Sequence, residues 1–292
     1  MRCFRFLITL VICAGVLFSC KQSKFLRHVG TTQGTYYRIT YQSQKGVDYE
    51  KEIIQLLGDF SASLSIYNPN SLISRINHND QTAVIDDYFR VVFNKAVEVN
   101  SASDGVFDIT IAPLVNLWGF GFTGDEPEIS PKKIDSLMQY VGMEKIRIEG
   151  DKVVKDLSGV MLDMNSIAKG YAADVVADFL RSKGSRNFLV DIGGESVASG
   201  VNENGNIWRI LVEKPIYGAG YGEFGKAVVF LDNRAIATSG NYRRFHEIDG
   251  VKYAHTIDVK TGYPVMHNLL SVTIVADDCI TADAWATACM AS

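Results

Sequence analysis

The order of local patterns along the chain constrains the fold more than any other feature of the sequence. Helical spacing of apolar residues covers 49–60 and 88–99, and Ser130-Pro131 is typical of a helix start. The sequence alternates like a strand at 33–42, and from Asn187 it changes to short β-rich runs separated by Gly, Asn and Asp, at 188–191, 207–212, 227–231, 253–257 and 271–275. A doubly wound parallel sheet would alternate helices and strands throughout. We therefore expect an α+β fold, helix-rich in its first half and strand-rich in its second, with mixed layers and the active site in a cleft between sub-domains.

Composition and charge exclude several classes of protein. The 292 residues are 47% hydrophobic and 21% charged, which is enough for one large core or two modest ones. The net charge is −4, and no basic run is interleaved with aromatic residues, so the sequence lacks the electrostatic signature of a nucleic-acid-binding protein. No Cys or His spacing typical of a zinc or iron–sulfur site occurs.

The first twenty residues have the pattern of a targeting segment. Arg2 and Arg5 precede an apolar run at 6–18, which is shorter than the roughly 20 residues that span a bilayer. We therefore predict a cleaved signal over 1–19. The segment 17–20 resembles a bacterial lipobox, which implies that Cys20 is lipidated and that 20–32 form a tether. The expected location is outside the cytoplasm, anchored to the membrane and facing the periplasm or the exterior; a plain secretory signal is the alternative.

The segment 163–174 leads into a helix whose first turn is rich in Gly and Ala. Small residues let a ligand approach the backbone, and the free N–H groups at a helix start suit a phosphate. Close packing of the helix explains the same residues equally simply.

Two oxygen-bearing side chains near the end of the chain have the spacing of one helical face. Asp283 and Thr287 lie at i and i+4 in a segment that reads as a helix. Hard oxygen ligands of this kind suit Mg²⁺, whereas the alternative is a solvated Asp with a Thr bonded back to its own helix.

His255 ends a predicted strand and precedes an Asp258-x-x-Thr261-Gly262 turn. This arrangement can hold an imidazole at the rim of a cleft, where it could take a proton from a hydroxyl. A purely structural histidine is the alternative.

Several segments together, in order, resemble the ApbE-type FAD:protein FMN transferases. The resemblance extends from Gln33 to the end of the chain, so 33–292 is identified as the catalytic domain. The matching segments are 33–37, 65–71, 105–110, 113–121, 169–174, 190–194, 238–242, 255–264 and 282–287.

The resemblance implies a reaction and a set of site residues. The family splits FAD, its substrate, with Mg²⁺ as cofactor and attaches FMN to a Ser or Thr hydroxyl of an acceptor flavoprotein, usually a redox-pump subunit, releasing AMP. His255 would be the catalytic base and would also contact FAD. The other expected FAD-binding residues are Gln33, Tyr67, Phe107, Asp108, Thr110, Lys169 and Asp174. The expected Mg²⁺ ligands are Asp283, Thr287 and the backbone carbonyl of Ala172.

The sequence departs from the family at three places. Gln33 stands where members often have Met, and Ala286 where some have a second Asp. The chain stops at Ser292, so we expect a catalytic domain that is incomplete at its C-terminus. Two alternatives remain at this stage, an FAD pyrophosphatase that releases FMN and AMP, and a lipoprotein that only binds flavin. Tyr67 at the flavin-contact position favours transfer over hydrolysis.

Overall fold

The computed structural model describes residues 23–122, 129–216, 225–242, 244–248 and 250–292. The strands within these ranges are β1 (Lys24–Thr32), β2 (Thr35–Ser43), β3 (Ile146–Glu149), β4 (Lys152–Lys155), β5 (Phe188–Ile192), β6 (Glu195–Ser199), β7 (Trp208–Glu213), β8 (Gly225–Leu231), β9 (Ala235–Gly240), β10 (Phe245–Ile248), β11 (Val251–Ala254) and β12 (Ser271–Ala276). The helices are α1 (Glu50–Leu64), α2 (Leu72–Asn77), α3 (Asp87–Ala102), α4 (Ala112–Leu117), α5 (Pro131–Met138), α6 (Ala168–Ser182) and α7 (Cys279–Ala291).

An antiparallel sheet organises the described part of the chain. Its strand order is β1-β2-β5-β6-β9-β12. Alternate residues of β2 and β5 point to one face, and there Ile39, Tyr41, Phe188 and Val190 are fully buried. Helices α1, α3, α6 and α7 contribute the residues packed against that face. Each large apolar side chain buried in this layer contributes about 1.5–3 kcal/mol.

The opposite face of the sheet carries the β7–β8 ribbon. These strands pair antiparallel from Trp208 to Glu213. Trp208 and Leu231 pack with Ala198 and Ile236 of the sheet in a separate apolar cluster. The Trp208 indole N–H also donates to the Ser199 carbonyl at 2.9 Å. The ribbon is thus fixed to the sheet at this end.

A further cluster holds α4 and α5 against the turn at 257–264. Leu114, Trp118, Ile134 and Ile257 form its buried part. The Trp118 indole N–H donates to the carbonyl of Gly262 at 2.9 Å. This contact fixes the turn that follows His255.

The expected α+β class is confirmed, with helices mostly in the first half and strands mostly in the second. The predicted segments at 49–60 and 88–99 lie in α1 and α3. Ser130 accepts a hydrogen bond from the Lys133 N–H and caps α5. The strand predicted at 253–257 ends earlier, because the chain leaves the β10–β11 pair after Ala254.

The tether prediction needs a correction. Residues 24–32, which were assigned to the tether, form β1, because they pair with β2 along its whole length. The predicted signal at 1–19, Cys20 and the first residues of the predicted tether lie outside the described residues. Among the helices that are described, none has both the length and the hydropathy to cross a bilayer.

Candidate active site

A cleft of about 1290 Å³ lies where the three apolar clusters meet. It is lined by sheet residues, by the turn that carries His255, by the β7 strand and by the junction of α6 with α7. Eight of the predicted site residues line it: Gln33, Tyr67, Phe107, Asp108, Lys169, His255, Asp283 and Thr287. Thr110, Ala172 and Asp174 are not among the lining residues. The structure therefore brings together most of a site whose members are far apart in sequence.

The starts of α6 and α7 are packed against each other at the base of the cleft. The Gly170 N–H donates to Asp283 Oδ2 at 2.9 Å, and Asp283 is only 3% exposed. A Cβ at position 170 would lie 2.3 Å from the Cys279 carbonyl oxygen. Glycine is therefore required here by a close approach of two helices, and the Gly-rich helix start serves packing at this position.

Lys169, whose side chain is 28% exposed, forms an ion pair with the buried Glu195, at 2.8 Å between Nζ and Oε1. Burial raises the pKa of Glu195 to about 7, although the ammonium of Lys169 opposes this shift. Burial would lower the pKa of Lys169, but the carboxylates of Asp283 and Glu195 outweigh it and raise that pKa. The lysine is therefore a fixed positive charge in the cleft, and its orientation is set by Glu195.

The second carboxylate oxygen of Glu195, which does not contact Lys169 in this ion pair, is a further polar atom beside the cleft. Glu195 Oε2 is buried and has no hydrogen-bond partner among the described residues. Glu195 was not predicted as a site residue, although it directly follows the 190–194 segment that supported the resemblance.

Three groups with oxygen atoms that could bind a metal ion lie near the Lys169–Glu195 ion pair. The Asp283 carboxylate, the Thr287 hydroxyl and Ser166 all line the cleft. Thr287 Oγ1 lies 3.4 Å from the Ser166 carbonyl oxygen and 3.1 Å from Ser239 Oγ.

The backbone carbonyl predicted to join these oxygens is that of Ala172, which is not among the residues that line the cleft. Helix α6 begins at Ala168, so Ala172 lies inside it and is fully buried. A carbonyl inside a helix accepts the N–H four residues further on, which leaves it poorly placed as a ligand. Ser166 precedes the helix, and its carbonyl is the one that faces Thr287.

His255 faces the cleft with a defined tautomer. Its Nδ1 lies 3.2 Å from the Arg244 carbonyl oxygen, and because a carbonyl only accepts, Nδ1 carries the proton. Nε2 is then the basic nitrogen. Burial lowers the pKa of His255 to about 4; the bond to the Arg244 carbonyl opposes this shift, and the charges of Arg244 and Lys169 add to it. The imidazole is therefore neutral at pH 7 and can act as a base.

Asp108 and Thr110 organise the loop before α4. Asp108 Oδ1 accepts from the Thr110 N–H at 2.7 Å, and its Oδ2 accepts from the Met143 N–H at 3.1 Å. Burial raises the pKa of Asp108, while these bonds favour its charged form. Thr110 is fully buried, and its hydroxyl oxygen accepts from the Gly142 N–H. Thr110 thus supports the cleft wall from behind and does not line it, contrary to the prediction.

Asp174, a predicted FAD contact, is not among the residues that line the cleft and is bonded to α7. Its carboxylate accepts from the N–H groups of Cys279 and Ile280 at 2.9 and 2.8 Å. These groups belong to the first turn of α7, where backbone donors lack partners within the helix. Burial raises the pKa of Asp174 to about 7, and the two backbone bonds oppose the shift. From α6, Asp174 therefore adds to the N-cap Asp278 in binding the N–H groups of the first turn of α7.

Gln33 and Tyr67 lie at the rim of the cleft. Gln33 occupies the β1–β2 turn with φ of 49°, and its Nε2 is buried without a hydrogen-bond partner among the described residues. Tyr67 is 52% exposed. An amide donor without a partner and an exposed aromatic ring are both available to a bound ligand.

The sheet contributes charged residues that the sequence analysis missed. Arg38 of β2 and Asp191 of β5 are directly opposite each other and form an ion pair at 3.0 Å. Both line the cleft. Only the strand register brings them together, so no local spacing could have indicated the pair.

A cluster of His28, Asp48 and Glu50 lies elsewhere in the fold. His28 Nε2 is 3.0 Å from Asp48 Oδ1, and its Nδ1 is 3.3 Å from Glu50 Oε1. Although these groups are close enough to surround a cation, none of them lines the cleft. Their positions connect β1 to the start of α1.

Comparison with known proteins identifies the family. Residues 33–292 match the model of the ApbE family. The FAD:protein FMN transferase of Vibrio cholerae is 37% identical over 284 residues, which cover 94% of this chain and 84% of that protein. The FAD:protein FMN transferase of Haemophilus influenzae is 37% identical over 281 residues, covering 91% of this chain and 80% of that protein.

Solved structures agree with the sequence matches. The flavin transferase ApbE from Vibrio cholerae has a TM-score of 0.82 and 35% identity, covering 92% of this chain and 87% of its own. The apo flavinyl transferase ApbE from Pseudomonas stutzeri also has a TM-score of 0.82 and 35% identity, covering 92% of this chain and 85% of its own. The chain therefore belongs to the ApbE family of flavin transferases.

Proposed function

We propose that this enzyme transfers the FMN part of FAD to a Ser or Thr hydroxyl of an acceptor protein and releases AMP, with Mg²⁺ bound in the cleft. The names of its relatives support FAD as donor and a protein as acceptor. The observation that carries the proposal is the placement of a neutral, basic imidazole at His255 in the same cleft as the oxygen donors of Asp283, Thr287 and Ser166.

The donor set at the α6–α7 junction fits Mg²⁺. A carboxylate, a hydroxyl and a backbone carbonyl are hard oxygen ligands, and the cleft gives room for water and phosphate oxygens to complete the shell. Asp283, Thr287 and the Ser166 carbonyl would hold the ion. When bound, Mg²⁺ neutralises charge on a diphosphate and makes AMP an acceptable leaving group.

The protein residues handle the proton and orient the substrates. His255 Nε2 takes the proton from the acceptor hydroxyl. At the same time, the oxygen of that hydroxyl forms a bond to the phosphorus of the FMN phosphate. The bond from that phosphorus to the bridging oxygen breaks, and AMP leaves with the electron pair. Lys169 contributes a fixed positive charge at the same end of the cleft, held by Glu195.

The experiment is to incubate the protein from Lys21 onward with FAD, Mg²⁺ and a soluble flavin-accepting domain of a redox-pump subunit. The Thr→Ala form of that domain, changed at its accepting residue, is the matched control. We expect a covalent FMN adduct, seen as a mass gain and in-gel fluorescence, which EDTA prevents. FMN and AMP without an adduct would indicate a pyrophosphatase, and bound, uncleaved FAD would indicate a flavin-binding protein.

The position of the enzyme in the cell is a separate part of the proposal. The lipobox-like segment at 17–20 supports export and anchoring through a lipid on Cys20. Cys20→Ser should give an exported protein that separates from membranes. Continued membrane attachment of this variant would contradict a lipid anchor.

A further inference from the structure

Strand β7 presents one of its backbone edges to the cleft. Its other edge pairs with β8 from Trp208 to Glu213. Within the described residues, no backbone group from Arg209 to Val212 bonds outside the ribbon. All five residues from Arg209 to Glu213 line the cleft. Neighbouring side chains of a strand point to opposite faces, so a cleft beside one face would be lined by every second residue only. Because consecutive residues of β7 line the cleft, the strand has its backbone edge turned toward the cleft.

The residues just before β7 show in which direction the backbone groups along this edge point. The Asn202 N–H donates to the Asn206 carbonyl at 2.8 Å, and Val201 bridges Ile207. The backbone of Asn206 therefore points away from β8. Backbone groups of a strand alternate in direction every residue, so the N–H and C=O of Ile210 and Val212 also point away from β8.

The ribbon also has an apolar outer face. Leu211, Val228 and Phe230 are 47%, 50% and 65% exposed. Leu211 is directly opposite Val228, and Phe230 is next to that pair on the same face. Edge strands of soluble proteins are usually blocked by Pro or charged residues, but positions 210–212 carry neither. An open edge beside an apolar face is the combination that binds an extended peptide.

We propose that the β7 edge binds an extended segment of the acceptor protein, which adds a strand to the ribbon and carries its Ser or Thr hydroxyl toward His255. This inference rests on the proposed function, because transfer to a protein requires a polypeptide to enter the cleft. Main-chain bonds to Ile210 and Val212 recognise an extended backbone, and the outer face accepts alternate side chains. This edge and His255 line the same cleft.

The test compares Val212→Pro with Val212→Ala. Proline removes the N–H that faces the cleft, and it leaves the bonds to β8 in place because those involve the alternate residues. Both variants lose the packing of the valine side chain, but alanine keeps the N–H. With the wild-type protein first shown to flavinylate the flavin-accepting domain, we expect the KM for that domain to be about tenfold higher in Val212→Pro than in Val212→Ala. The Kd for FAD should be the same in the two variants.

Hydrogen exchange gives an independent readout. The amides of Ile210 and Val212 should become protected when the flavin-accepting domain is added to wild-type protein. Equal KM values in the two variants, together with unprotected amides, would overturn the inference. A weaker FAD affinity in Val212→Pro alone would assign the edge to the FAD site, and protection that depends on enzyme concentration alone would assign it to a second copy; either would also overturn it. If wild-type protein forms no adduct, the proposed function fails, and exchange with the same domain still tests docking.

Discussion

The two walls of the cleft differ in how completely their polar groups are paired. On the α6–α7 wall, the nearly buried Asp283 carboxylate is bonded to Gly170, and Lys169, whose side chain is 28% exposed, is paired with the buried Glu195. On the β7–β8 wall, the backbone groups of Ile210 and Val212 that point away from β8 have no backbone partner among the described residues, and Phe230 is 65% exposed. Groups that stabilise charge during phosphoryl transfer are effective when they are fixed in advance, whereas a wall that binds a polypeptide must keep bonding groups available.

Substitution of Asp283, on the α6–α7 wall, should have the largest effect on activity. Asp283→Ala should lower FMN transfer by more than about 100-fold, because the carboxylate supplies the negative charge of the cation site. Asp283→Asn is the matched control, since its amide oxygen still accepts from Gly170 while the charge is lost. When the transfer rate is measured over a range of Mg²⁺ concentrations, both variants should be slower than wild type. Wild-type Mg²⁺ dependence in Asp283→Asn would remove this residue from the cation site.

His255 should have the next largest effect. His255→Ala should reduce transfer by roughly 10²–10⁴-fold, the usual contribution of a general base, while the Kd for FAD changes little. Because burial lowers the pKa of His255 to about 4, kcat/KM of the wild type should stay level as pH falls from 7 and decline only near pH 4. A decline centred near pH 6.5 would mean that the base titrates as an ordinary histidine.

The packing of the α6–α7 wall can be tested at Gly170. Gly170→Ala should lower the free energy of unfolding by about 1–3 kcal/mol, because the new Cβ would meet the Cys279 carbonyl oxygen. Gly58→Ala is the control, since a Cβ at this exposed position of α1 meets nothing within 4 Å. The control should be stabilised by roughly 0.5–1 kcal/mol. Equal effects of the two changes in denaturant unfolding would mean that the helices are not in close contact.

Asp174 should have the smallest effect. Asp174→Ala removes two hydrogen bonds to the first turn of α7 but leaves its N-cap, Asp278, in place, so it should lower the free energy of unfolding by about 1 kcal/mol, with no change in the Kd for FAD. Burial raises the pKa of Asp174 to about 7, so the folded state binds more protons than the unfolded chain between its ordinary pKa and pH 7. The contribution of Asp174 to stability is therefore lost as pH rises through this window. The difference in the free energy of unfolding between wild type and Asp174→Ala should be smaller at pH 8 than at pH 5. A weaker FAD affinity would instead restore the predicted contact with the substrate.

The local parts of the site could be predicted from the sequence, and the parts that depend on long-range packing could not. Asp283 and Thr287 lie one helical turn apart and His255 follows a strand, so local spacing indicated them as candidates, and the family resemblance then supplied their roles. Glu195 contacts Lys169 only because the β5–β6 hairpin packs under α6. The resemblance gave the carbonyl of Ala172, whereas the carbonyl that faces Thr287 belongs to Ser166, because α6 begins only at Ala168. The bonds of Asp174 to α7 could not be predicted, because its partners are 105 and 106 residues away.

The bond between Gly170 and Asp283 also has a consequence for the order of events during synthesis. Its partners are separated by 113 residues, and contacts this distant form late because a long loop must close first. Chains emerge from the ribosome N-terminus first, so α6 is complete long before α7 exists. The oxygen donors of Asp283 and Thr287 can therefore join Ser166 only after α7 has been synthesised, more than 100 residues after α6 began.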